Sequence, residues 1–68
     1  MKVGTEVKLN NTPIYATYEI KNPSTKKSGT FYVYNEIEKN DRIKITDDIN
    51  KIGKPVSATG WVNLSDIQ

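Results

Sequence analysis

The chain has 68 residues, 35% of them apolar and 26% charged. That allows one small domain and excludes a large buried active-site cleft. Cysteine and histidine are both missing, which excludes disulfides, Cys/His zinc sites and histidine acid–base catalysis. Ten Lys/Arg against eight Asp/Glu leave a net charge of +2 spread along the chain, too mild and too scattered to mark a nucleic-acid binder.

No apolar run approaches the length needed to span a membrane, and the N-terminus carries none of the features of a signal peptide. Work outside a cell would therefore require another means of export. In chain order, Glu6 to Leu9 (EVKL) alternates Val7 and Leu9 against Lys8, which predicts a first strand, and Asn10 to Pro13 (NNTP) has the chemistry of a turn. Ile14 to Ile20 (IYATYEI) alternates again and is rich in β-branched and aromatic residues, which predicts a second strand. Lys21 to Gly29 (KNPSTKKSG) has no periodicity and reads as an exposed loop with Lys26 and Lys27 near its tip. Thr30 to Ile37 (TFYVYNEI), the polar turn EKND and Arg42 to Thr46 (RIKIT) together predict a hairpin.

From Asp47 to Thr59 the chain is irregular, with Gly53 and Pro55 interrupting it and Ile49, Ile52 and Val56 expected to tuck under the sheet. Thr59 to Ile67 (TGWVNLSDI) predicts a short strand, a 3₁₀ turn and a final edge pairing. Five short strands in a chain this small predict an all-β fold, a small SH3-like barrel of about five to seven strands, whose closure removes exposed edges. An OB-like barrel is the alternative, but it usually needs a helix between strands, and no stretch has helical spacing.

The order of Pro13-Ile14-Tyr15, Gly29-Thr30-Phe31-Tyr32-Val33-Tyr34, Arg42-Ile43-Lys44-Ile45-Thr46 and Gly60-Trp61-Val62 followed by Asp66-Ile67 resembles the bacterial SH3 domains that target cell-wall hydrolases, phage endolysins in particular, to peptidoglycan. The resemblance covers nearly the whole chain. It implies a non-catalytic module acting at the wall of Gram-positive bacteria, with a peptidoglycan peptide or cross-bridge as ligand and the catalytic domain or chain of a hydrolase as partner; the loop pair Lys26-Lys27 adds teichoic-acid phosphates as a further candidate ligand. The chain carries no catalytic unit of its own, so the same resemblance leaves open an excised module or a separately translated subunit, and a homo-oligomer. A structural or assembly domain of a phage or enzyme complex is the alternative. Nucleic acid is not expected as partner, since Glu19, Glu36, Glu38, Asp47 and Asp48 flank the same strands, and without a long apolar run neither is a membrane.

The residues themselves point away from catalysis, with no cofactor or metal expected. Asp48, Asn50 and Gly53 fall at calcium-loop positions, but Ile52 and Thr59 stand where oxygen ligands belong. Glu36 and Glu38 have nothing near them in sequence to desolvate a carboxylate and raise its pKa. Alternation puts Phe31 and Val33 on the core side with Ile43 and Ile45, and Tyr32 and Tyr34 on the other. Trp61 faces outward if Val62 and Leu64 close the core, and Tyr15 shares the outward phase. Together Tyr15, Tyr32, Tyr34 and Trp61 form a candidate aromatic ligand site, rigid walls suited to small-residue peptides or sugar faces. Asn10, Thr30 and Asn35 are candidates for its hydrogen bonds. Tyr18 shares the phase of Ile14 and is placed in the core, with the groove as alternative.

Overall fold

A computed structural model describes residues 1–55 and 57–67; Val56, expected beneath the sheet, lies outside the described residues. The fold is all-β. Strands β1 (Glu6–Ile14), β2 (Thr25–Lys39), β3 (Arg42–Thr46) and β4 (Gly60–Asn63) form one antiparallel sheet in the order β1-β2-β3-β4. The sheet curls into a half-barrel. Its two edge strands come together where Tyr15, just past β1, pairs with Trp61 of β4 through two 2.8 Å backbone hydrogen bonds.

The core is built from the residues that alternation selects. Val7, Leu9, Ile14, Phe31, Val33, Ile43, Ile45 and Val62 are buried together, and Leu64 and Ile67 pack against them. The β2–β3 hairpin turns through Asn40 and Asp41, both at positive φ, as a type I′ turn requires. Past β4, Leu64–Asp66 forms the expected 3₁₀ turn.

Several expectations are corrected. The NNTP segment is not a turn, because β1 runs through it with a bulge in which Asn10 and Asn11 stand opposite Ser28. Asn11 takes a φ of 52°, and its N–H donates to Ser28 Oγ at 2.7 Å. The extra residue shifts the side-chain parity, so odd-numbered Val7 and Leu9 and even-numbered Thr12 and Ile14 all point inward. Lys21 to Gly29 is only partly loop. Thr25 to Gly29 belong to β2 and pair with β1, Lys26 opposite Pro13 and Lys27 opposite Thr12.

The third correction concerns Ile14 to Ile20, which forms no strand, so the sheet has four strands where five are predicted. Beyond the Tyr15 pair the chain bends outward, with Ala16 and Ile20 exposed. Its carbonyls are taken by side chains instead of a neighbouring strand. Arg42 Nη1 donates to Thr17 O (3.2 Å) and Ile20 O (2.6 Å), and Asn40 Nδ2 donates to Tyr18 O (2.9 Å). Local β propensity yields to these tertiary bonds. The irregular stretch after β3 holds one 3₁₀ turn, Ile49–Lys51, but Ile49 is 50% exposed rather than tucked under, and Ile52 is half-buried.

Closure depends on a close approach at Gly60. A Cβ there would lie 2.6 Å from Ile14 Cγ2 and 3.0 Å from Tyr15 O, closer than packed atoms tolerate. Gly60→Ala should therefore lower stability by about 1–3 kcal/mol, the usual cost of overpacking. Thermal unfolding followed by circular dichroism checks this, and an unchanged melting temperature would contradict it.

Candidate functional site

Along β3, Ile43 and Ile45 face the core while Arg42, Lys44 and Thr46 face the other way. Two loops fold back over this second face. The 16–24 loop covers Arg42, which is 8% exposed, and the 47–59 loop covers Thr46, whose hydroxyl donates to Ser57 O at 3.1 Å. Lys44 lies between them and remains half-buried.

Pairing between β3 and β4 sets Lys44 directly across from Trp61. The Lys44 ammonium lies 5.3 Å from the Trp61 ring centroid and 5.9 Å from that of Tyr34, within range for attraction to the faces of both. The Tyr18 ring meets Trp61 edge to face at 5.4 Å and 64°, and Lys39 stands 5.1 Å from Tyr18 on its own account. Beside Trp61 opens a depression of about 390 Å³, lined by Trp61, Lys44, Ala16, Ser24 and residues 58–60. It joins one aromatic surface, one cation, hydroxyl groups and small side chains in a single open concavity.

Of the seven candidate residues, Trp61 alone lines this depression. Its ring is not freely exposed, since only 8% of the residue is accessible. Tyr34 approaches from the far side of Lys44, and its hydroxyl donates to the carbonyl of Lys54, tying β2 to the 47–59 loop. Tyr15 contributes mainly backbone. The residue is also only 8% exposed, with the Arg42 guanidinium 3.6 Å from the ring centroid. Tyr32 is half-buried on β2, opposite Glu6 and Thr46.

The three polar candidates lie elsewhere. Asn10 is exposed at the β1 bulge, and Thr30 Oγ1 accepts from Lys8 Nζ at 2.7 Å. Asn35 Oδ1 accepts from the Ile37 N–H at 3.3 Å, within a break in the β2–β3 register where residues 34–37 stand opposite Lys44 alone. Tyr18 is corrected from core to rim: it is half-buried against Trp61, because its segment never enters the sheet.

Lys44, Ala16, Ser24 and the 58–60 segment are absent from the sequence-based site. Alternation does turn Lys44 outward, but nothing local announces that Trp61 will be its cross-strand neighbour. Ser24 reaches the site because its N–H and hydroxyl both donate to Ile14 O, at 2.8 and 3.2 Å.

The polar loop after β3 has structural duties. Asp48 caps the 3₁₀ turn by accepting from the Asn50 N–H at 2.9 Å, and a hydrogen bond from Lys51 holds the exposed Asp47 carboxyl below the usual carboxylate range. Among the described residues no three metal-ligating side chains gather. Comparison with protein-family models, curated proteins and solved structures finds no match to the chain.

Arg42 organises the loop that forms one wall of the depression. Besides its bonds to Thr17 O and Ile20 O, its Nε donates to Asn63 Oδ1 at 2.9 Å. Arg42→Met keeps the apolar stem but strands those acceptors, so a loss of about 2–3 kcal/mol is expected. Amide hydrogen exchange should report faster opening at Ser24, whose N–H donates to Ile14 O at the far end of the loop, than in β2. Uniform acceleration across the sheet would show instead that Arg42 only supports the barrel.

Proposed function

We propose that the chain is a non-catalytic binding module that holds a cell-wall hydrolase, such as a phage endolysin, on the peptidoglycan of Gram-positive bacteria. The observation that carries this reading is the depression beside Trp61, where an aromatic surface, an ammonium group and small side chains meet. Such a surface suits a short, extended peptide or cross-bridge, which needs rigid apolar contact and a few placed polar groups. The resemblance in segment order to bacterial SH3 domains supplies the wall as target, and the curled four-stranded sheet is compatible with a small barrel of that kind.

The role of such a module is to raise local concentration. Tethering an enzyme to its polymer turns each later encounter into a nearly intramolecular one, and several copies multiply the effect. The catalytic chain or domain of the hydrolase is then the protein partner, and the wall outside the membrane is the place of action. With no histidine or cysteine in the sequence, bond cleavage is assigned to that partner.

Co-sedimentation with purified Gram-positive sacculi tests the proposal, using sacculi that differ in cross-bridge chemistry. Trp61 is too buried for its replacement alone to be decisive, so the informative variant is Ala58→Phe, which fills the depression from a half-buried position. Ala58→Phe should reduce bound protein at least about tenfold, a loss of roughly 1.4 kcal/mol, while its melting temperature stays near that of the parent. Failure of the parent to bind any sacculus, together with a defined homo-oligomer in solution, would favour the assembly reading instead.

A further inference from the structure

We propose that Lys44 is the anion contact of this depression and that the ligand group it receives is a peptide carboxylate. The inference deepens the binding-site reading of the depression and rests on it. Three ion pairs occur among the described residues, Met1 with Glu38, Lys8 with Glu6, and Lys51 with Asp47. Lys44 belongs to none of them, and its ammonium makes no hydrogen bond to a described residue. It is the cation of the site, half-buried and left without a counter-ion.

The ammonium also lies beside two aromatic rings. Rings lie on both sides of it, Trp61 at 5.3 Å and Tyr34 at 5.9 Å. Ring faces attract a cation but neutralise no charge. What is missing is an oxygen anion to accept its hydrogen bonds.

The neighbouring groups select a peptide end over a phosphodiester. Ser24 Oγ donates its proton to the Ile14 carbonyl at 3.2 Å, so towards the depression that oxygen acts as an acceptor. A ligand that meets Lys44 and Ser24 together therefore presents an anion to one and a hydrogen-bond donor to the other. The terminal residue of a peptide carries both within one unit, whereas a phosphodiester group itself offers acceptors only. Ala16, Ala58 and Gly60 in the wall leave room for a main chain with small side chains.

Chemical-shift titration of the isotope-labelled chain with N-acetyl-alanyl-alanine and with its C-terminal amide tests this directly. The Trp61 indole N–H and residues 58–60 should respond to the acid at about tenfold lower concentration than to the amide, the scale of one charge-assisted hydrogen bond. Lys44→Gln should abolish that difference. Equal responses to acid and amide in the parent chain would overturn the proposal whether or not the variant folds, as would a preference that survives in Lys44→Gln.

Sedimentation with treated sacculi separates this failure from failure of the wall reading. Sacculi stripped of teichoic acid should bind the chain as before, and sacculi whose carboxylates have been amidated should bind about tenfold less. Loss of binding with teichoic acid alone would assign Lys44 to phosphate and overturn the carboxylate. Discrimination between acid and amide without binding to any sacculus would sustain the Lys44 assignment and reject the wall as target. Binding to all sacculi without regard to amidation would reject the Lys44 assignment alone.

Discussion

The pair of backbone hydrogen bonds between Tyr15 and Trp61 joins the two edges of the sheet, and the rest of the molecule is arranged around it. A four-stranded sheet left open would expose two edges and bury one face poorly, which a chain of 68 residues can hardly sustain. The pair forms because Gly60 lets β4 come up against Ile14 and the Tyr15 carbonyl. It also forms because the β1 bulge resets the parity, so that Ile14 points inward where β1 meets β4. The same pair fixes Trp61 at the edge of the barrel and starts the 16–24 loop beside it. Closure of the fold and construction of the site are thus one event.

Arg42 extends that logic into the loop. An irregular segment folded onto a protein surface brings carbonyl groups that no strand will pair, and a buried unpaired carbonyl is costly. Arg42 supplies a planar fan of donors to two of these carbonyls and to Asn63, while its flat face lies on Tyr15. Lysine, with a compact ammonium, could not do both. Asn40 performs a smaller version of the task at Tyr18 O, and Tyr34 does the converse across the barrel by donating to the Lys54 carbonyl. The loops around the depression are therefore held by side chains that strand periodicity would classify as solvent-facing.

This explains what could be read from the sequence. The core was legible because alternation is a local property: Val7, Leu9, Phe31, Val33, Ile43, Ile45 and Val62 all lie where a period of two puts them. The hairpin through Asn40 and Asp41 was legible for the same reason. Alternation misleads over Ile14 to Ile20, where it is genuine, because the partners that could have made a strand are replaced by Arg42 and Asn40, some twenty residues away. The site was legible only at Trp61. An outward phase says that a side chain leaves the core, but not whether a loop will cover it, and Tyr15 and Thr46 are both outward and buried. Lys44 escaped notice because its importance lies in β3–β4 register, which no local pattern encodes.

The architecture also bears on how such a site could act. Its floor is β-sheet, through Lys44 and Trp61, whereas its walls are loop, through Ala16, Ser24 and the 58–59 segment. Elements on the sheet are positioned by the strand pairing that holds the fold together. Loop walls can change in length and composition at small thermodynamic cost. On the binding-module reading, the aromatic and cationic floor supplies a constant attraction, and the loops adjust which small peptide fits above it. An open depression of this size contacts only a few residues of ligand, so tight attachment would come from repetition along a polymer rather than from a single deep pocket.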